Sequence, residues 1–397
     1  MMNLNISFLG LLFFISFIAD FDGKNAAIET IEIPFYSEKL AVVYHPDITI
    51  VPSGMLEEQK IVAFYQQLEE SSYEVFVESL LDLKNRLQLN DWLLYELTEK
   101  SVKGLMPHQS DKHQTLITWF LLSKLGYDTR LAFLKNDAFL YVRTEENIYE
   151  TPLIEDNGQR FAGLTEMQIS NSKAGRSVYL LNFLAMPNGR PFSFSLARLP
   201  QLKSVKQEKI YRFDWEETSF SLPVAYDKTL VDIMKNYPVV GETDYLIVPF
   251  SRVLKESLLP SLRYIIKGKT IQESLQILTV FTRSAFQYRE DEDFFGRNKP
   301  MIRDEVFFYP YSDCEDRSAV FFGLVEELLD LPMIIVAFPD HLTVAVALDE
   351  PIGSSSIAYK GKRFYICDPT GPSNSDEIGR IPRGYEKQTF EILMDSL

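Results

Sequence analysis

The feature that most limits what this chain can fold into lies in its last third, where a helical spacing of apolar residues gives way to two strand-like runs. Ala319, Val320, Phe322, Leu324, Val325, Leu328 and Leu329 recur at helical spacing and bury one face, and the run ends near Asp330, ahead of Pro332. The next run, His341 to Leu348, alternates. Thr343, Ala345 and Ala347 share the face of His341, and Leu342, Val344, Val346 and Leu348 take the other. Both faces are apolar, so this strand is expected to be packed on both sides, with the imidazole at its entry end. A second strand, Lys362 to Asp368, ends in Cys-Asp-Pro-Thr. A helix laid on a sheet of this kind places the chain in a mixed α/β class.

Cys314, within Tyr311-Ser312-Asp313-Cys314-Glu315-Asp316-Arg317-Ser318, falls in the first turn of that helix. Unpaired backbone N–H groups there favour a thiolate, the form that attacks carbonyl carbon. The flanking Asp313, Glu315 and Asp316 oppose it, because negative charge raises a thiol pKa. The helix terminus contributes only about 0.3–1 kcal/mol at an exposed site, so ionisation requires His341 close by. Asp368 is placed to accept the other imidazole N–H if the two strands pair with those ends adjacent. Each residue alone has a plainer reading: a buried structural thiol, a satisfied core histidine, a turn-forming aspartate before proline. Asp316 is expected to bond backbone N–H groups or Arg317. Alternation sends Cys367 to the core face, opposite Asp368, so a disulfide with Cys314 is not expected.

Asp-Cys-Glu-Asp-Arg-Ser ahead of an apolar helix, then Asp-His-Leu-Thr-Val-Ala-Val, then Tyr-Ile-Cys-Asp-Pro-Thr, in that order and at that spacing, resembles the transglutaminase-like superfamily. The likeness is greatest to its bacterial cysteine-protease-like branch, and the run Thr270 to Phe286 with the following Gln-Tyr-Arg-Glu-Asp is similar too. The resemblance implies a papain-like, α+β fold and a catalytic triad at Cys314, His341 and Asp368. It also implies a polar or aromatic oxyanion donor near Gln287 or Tyr288, to which the backbone N–H of Cys314 could add. The implied chemistry is acyl transfer from a peptide or other amide substrate, with no metal and no organic cofactor. Water as acceptor makes a protease or amidase; an amine makes a crosslinking transferase. A binding or scaffold protein that keeps the fold without the chemistry is the alternative.

The chain has 397 residues, too many for one ordinary core. With 40 basic and 56 acidic side chains its net charge is −16, which disfavours nucleic acid or an anionic membrane surface as partner. Two cysteines exclude a disulfide-rich scaffold and a four-cysteine zinc site, and four histidines leave little material for any metal site. Ile6 to Ile18 is almost without polar residues and reaches small residues at Ala19 and Ala26-Ala27. That is the size of a signal-peptide hydrophobic region, though no Lys or Arg precedes it. Export to the periplasm or the cell exterior is expected, with an uncleaved anchor or a buried N-terminal segment as alternatives.

Helices are expected over Leu56–Leu68, Tyr73–Leu87, Asn90–Val102 and Gln114–Lys124, and strands over Thr129–Leu134, Ala138–Val142 and Ile148–Thr151. The same order, a helix, a loop, a helix and three strands, recurs in the C-terminal region. Matching the two segments sets Ser110 opposite Cys314, Ala138 opposite His341 and Thr151 opposite Asp368, a set that cannot do the same chemistry. The expected organisation is therefore an apolar N-terminal segment (1–26), a degenerate transglutaminase-like domain (27–176), a β-rich connector (177–246) and a catalytic copy (247–397).

Overall fold

The structure, a computed structural model, describes residues 27–52, 54–135, 137–165, 178–352, 355–371 and 377–396. Segment 1–26, and with it the expected signal peptide or anchor, lies outside them. Among the described residues no helix is long and apolar enough to cross a membrane.

The chain is mixed α and β. It opens with a hairpin of β1 (Glu29–Phe35) and β2 (Glu38–Tyr44), followed by α1 (Glu58–Glu69), α2 (Tyr73–Leu87), α3 (Asp91–Leu105) and α4 (Asp111–Lys124). The boundaries have local causes. Gln88, with φ of 51°, turns the chain out of α2, and the Asn90 side chain accepts the Leu93 N–H at 3.0 Å to start α3. The helices enclose a core that includes Phe76, Leu80, Trp92, Trp119 and Phe120. Strands follow: β3 (Thr129–Leu134), β4 (Asp137–Arg143), β5 (Ile148–Tyr149), β6 (Leu153–Asp156), β7 (Gln159–Gly163) and β8 (Tyr179–Leu180). Five of them form a sheet ordered β6-β7-β4-β3-β8.

A long hairpin, β9 (Lys206–Trp215) with β10 (Thr218–Asp227), leads through α5 (Lys228–Met234), β11 (Val239–Val240) and α6 (Glu242–Leu246). Next come α7 (Arg252–Ile265), α8 (Ile271–Ala285), β12 (Gln287–Tyr288), α9 (Asp291–Phe295), α10 (Arg303–Phe308), β13 (Tyr311–Ser312) and α11 (Cys314–Leu329). The last strands are β14 (Met333–Phe338), β15 (His341–Ala347), β16 (Ile357–Tyr359), β17 (Lys362–Cys367) and β18 (Glu391–Asp395). They form a second sheet, ordered β16-β17-β15-β14-β18. Alternation sends Ile335, Val344, Val346 and Cys367 to the core shared with α8 and α11. Ile334, Val336, Ala345 and Ile366 go to a second apolar layer on the opposite face, so the sheet is buried on both sides.

Both five-stranded sheets are antiparallel, and both run third strand, fourth, second, first, fifth. Their registers correct the residue matching made from sequence. Leu134 pairs with Asp137 as Phe338 pairs with His341, so Asp137, not Ala138, stands at the place of His341. Gly163 pairs with Tyr141 as Ile366 pairs with Ala345. Thr165, two residues past Gly163, therefore stands where Asp368 does, and Thr151 does not. Ser110 lies as far ahead of β3 as Cys314 lies ahead of β14, and that match is kept.

The described part of the 177–246 connector has no core of its own. Phe192, Phe194 and Leu196 join the first core from a stretch that is irregular rather than β. Tyr211, Phe213, Leu222 and Val224 of the β9–β10 hairpin join the core of α7, α8 and α11.

Candidate active site

The start of α11 is held by two aspartates. The Asp313 carboxylate accepts the N–H groups of Glu315 at 3.2 Å and Asp316 at 3.4 Å, while Asp316 accepts those of Asp313 at 3.2 Å and Met301 at 3.0 Å. Asp316 thus takes the expected structural role. Arg317 turns elsewhere, donating to the Ser312 hydroxyl at 3.1 Å and the Phe286 carbonyl at 2.6 Å. These bonds fix Cys314 as the first residue of the helix. The parallel pairing of Tyr288 with Ser312 brings β12 alongside it.

His341 and Asp368 meet as the strand ends suggested. Val344 pairs with Cys367, which sets Asp368 across from Thr343 and on the same face as His341 two residues earlier. His341 Nε2 lies 3.2 Å from Asp368 Oδ1. The same oxygen accepts the Thr370 N–H at 3.2 Å and the Thr370 hydroxyl at 3.0 Å. Burial alone would raise the Asp368 pKa. The hydrogen bond and charge of His341, with the two Thr370 donors, bring it below the usual carboxylate value. Arg283 Nη2 donates to the backbone carbonyl of Asp368. The imidazole is stacked against Tyr385, 5.2 Å between ring centres, and Phe338 lies at 6.5 Å.

The backbone N–H of Leu342, the residue after His341, acts to lower the Cys314 thiol pKa. The thiol is half-buried, and burial pushes its pKa well up, with Asp313, Glu315 and Glu290 adding to the rise. The thiolate expected at the helix terminus is therefore outweighed by desolvation and by neighbouring carboxylates. A cavity of about 650 Å³ opens over the pair, walled in part by Arg283, Tyr288, Arg317, His341, Asp368 and Tyr385. Cys314 does not itself line it. Of the two oxyanion candidates, Tyr288 is on the cavity wall and Gln287 is not; the Tyr288 hydroxyl donates to Glu290.

Sequence reading missed Arg283, Thr370 and Tyr385. Arg283 lies in the last turn of an amphipathic helix that also carries Glu273 and several polar residues, so nothing in the sequence set it apart. Tyr385 sits in an irregular segment, where no periodicity identifies it. Cys367 is buried and, like Cys314, free.

One group among the described residues has donors spaced to hold a cation. Asp291, Asp313 and Asp316, all buried, have carboxylate oxygens within 4.8 Å of one another. Burial pushes all three pKa values up, with repulsion from Asp313 adding to the rise of Asp291 and Asp316 and repulsion from Glu290 to that of Asp313. A count of cysteine and histidine could not reveal an all-aspartate group.

Compared with known proteins, the chain matches no family model, no curated protein and no solved structure.

Proposed function

We propose that this chain is a transglutaminase-like cysteine hydrolase, a protease or amidase, whose triad is Cys314, His341 and Asp368. The observation that carries the reading is the 3.2 Å contact between His341 Nε2 and Asp368 Oδ1 at the ends of paired strands. The Ser318 hydroxyl donates to the Leu342 carbonyl at 3.2 Å, which seats the first turns of α11, with Cys314 at their start, against the start of β15. With Asp368 accepting Nε2–H, the Nδ1 lone pair is the one left to take a proton. Because the resting thiol is neutral, the proton passes to Nδ1 as sulfur attacks the amide carbon, and imidazolium then protonates the departing amine. Water releases the acyl group from sulfur. Acid–base transfer of this kind is worth roughly 10²–10⁴-fold. The Tyr288 ring and the Arg317 guanidinium wall the cavity in which the substrate amide would lie.

The shared strand order, whose fifth strand β8 reaches Leu180 and so carries the unit past the expected boundary at 176, supports reading the N-terminal unit as a first copy that lacks the triad. The elevated thiol pKa favours a second reading, a binding protein that retains the fold.

Labelling with a cysteine-directed electrophile near neutral pH decides between them. On the hydrolase reading, Cys314 reacts in the wild type, Cys367 stays unlabelled, and His341→Ala slows labelling of Cys314 by an order of magnitude or more, on the order of the base's contribution. Labelling that is indifferent to the histidine selects the binding protein.

A further inference from the structure

The cavity over His341 and Asp368 is basic, although the whole chain carries a net charge of −16. Arg283, Arg317 and Arg383 line it, and among the described residues the lining holds one carboxylate, Asp368. Asp368 is 3% exposed, and its Oδ1 already meets His341 and Thr370. Its charge is therefore matched to the imidazole, and the guanidinium groups keep an excess of positive charge.

The arginines differ in what holds them. Arg283 is tied to the Asp368 backbone carbonyl. Arg317 is buried, and its hydrogen bonds run to two uncharged groups, the Ser312 hydroxyl and the Phe286 carbonyl. Burial pushes its pKa down to about 10, and the charge of Arg283 adds to the fall while Asp316 opposes it. Arg317 forms no ion pair among the described residues, whereas a buried guanidinium is ordinarily paired with an anion that offsets its lost hydration. Arg383 is exposed and, among the described residues, has neither a hydrogen bond nor an ion pair. Its charge reaches Glu386, but that carboxylate accepts the Gly384 N–H at 2.9 Å. The Tyr385 N–H donates to the Pro382 carbonyl at 3.0 Å, and Gly384 takes a φ of 98°. This turn seats Arg383 on the cavity wall, two residues from the ring that is stacked on His341.

We propose that the cavity selects peptides that carry a carboxylate beside the scissile amide, received by the exposed Arg383 and balancing the buried charge of Arg317. As a statement about substrate it rests on the cysteine-hydrolase reading; the binding itself does not need Cys314. A carboxylate is the anion that a peptide offers, on an acidic side chain or at its C-terminus, and a guanidinium meets it with two parallel N–H donors.

The test uses full-length Cys314→Ala protein, so that nothing is turned over, titrated calorimetrically with three peptides. They are acetyl-Ala-Glu-Ala-amide, its neutral counterpart acetyl-Ala-Gln-Ala-amide, and acetyl-Ala-Gln-Ala with a free C-terminal carboxylate. Saturable binding is expected for at least one of the two acids, tenfold or more tighter than for the neutral peptide, and the acid that binds identifies the source of the carboxylate. Adding Arg383→Gln, a change at an exposed side chain, should weaken that binding roughly tenfold, the scale of one charge-assisted hydrogen bond. Arg380→Gln, exposed near the same turn but outside the cavity lining, should leave it unchanged. The proposal is overturned if neither acid saturates, if the neutral peptide binds as well, or if Arg383→Gln acts no differently from Arg380→Gln. Melting curves that overlay the parent's confirm that the variants report on the site. The hydrolase reading is judged apart, by labelling of the wild type: carboxylate binding with labelling indifferent to His341 leaves this site in a binding protein, whereas histidine-dependent labelling without carboxylate binding keeps the hydrolase and removes this site.

Discussion

Two buried aspartates near the start of α11 respond to the same loss of water in opposite ways. Asp368 is desolvated, but His341 and Thr370 bond it, and its pKa ends below the ordinary value. Asp291 is also desolvated and faces Asp313, so its pKa rises to about 7 even though it accepts the Lys299 N–H at 2.6 Å. The signs for stability differ accordingly. The stabilisation from Asp368 is present above about pH 3.9, the unfolded value, and is lost only as pH falls through its lower folded value. That from Asp291 is full below about pH 3.9 and is lost as pH rises through about 7. Stability of the wild type is therefore expected to decline between about pH 4 and 7. Asp291→Asn keeps an acceptor for Lys299 and removes the titration, so it should flatten that decline. Urea midpoints at intervals across the range measure it, and an unchanged slope in the variant would place the titration on Asp313 and Asp316 instead.

The element that fixes Cys314 depends on a close approach farther along its length. Arg303, buried within α10, donates to the Ala319 carbonyl at 2.9 Å and the Leu246 carbonyl at 3.0 Å, and burial pushes its pKa down to about 10. It fits only because residue 323 of α11 has no side chain; a Cβ there would stand 2.5 Å from the guanidinium carbon. Alanine favours a helix over glycine by about 1 kcal/mol, but overpacking costs about 1–3 kcal/mol, and displacing the guanidinium also breaks two buried bonds. Gly323→Ala should thus lower stability by about 1–3 kcal/mol, read as a lower Tm. A variant as stable as the wild type would mean that Arg303 has room to move. At this scale the sequence was readable where periods were long. The expected helix Tyr73–Leu87 has the bounds of α2, and the alternation from His341 predicted the start of β15 and its two faces. The two-residue strands β11, β12 and β13 show no period, since pairing alone defines them. Asp137 was missed by one residue because the two segments were matched on a shared aspartate, whereas hairpin pairing sets the register. The His341–Asp368 contact was legible because both residues end strands. The high pKa of the thiol was not, because it depends on burial and on how near three carboxylates lie in space.

Taken whole, the molecule is joined by residues 228–248, the stretch whose composition read as the end of a connector. Leu230, Ile233, Met234, Tyr237, Val240, Tyr245 and Val248 pack into the first core, while Val231 and Leu246 pack into the second. β11 pairs with β5 of the first unit, and Arg303 of the second holds the Leu246 carbonyl. Arg297 and Glu150 add an ion pair at 2.9 Å across the same junction, though exposed pairs contribute only about 0–1 kcal/mol. What holds the halves together is therefore apolar burial by one segment that faces both ways. A fragment of residues 206–397 keeps the β9–β10 hairpin that the second core needs, but it uncovers those seven apolar side chains and Ile302, which also belongs to the first core. An apolar patch of that kind drives association. The fragment should bind a hydrophobic dye, sediment as oligomers and melt below the full chain, whereas the full chain should do none of these. Substituting those seven positions with polar residues should restore solubility to the fragment, because they bury nothing in it. A monomeric, dye-silent fragment with the Tm of the full chain would show that the two cores are independent and that residues 228–248 only connect them.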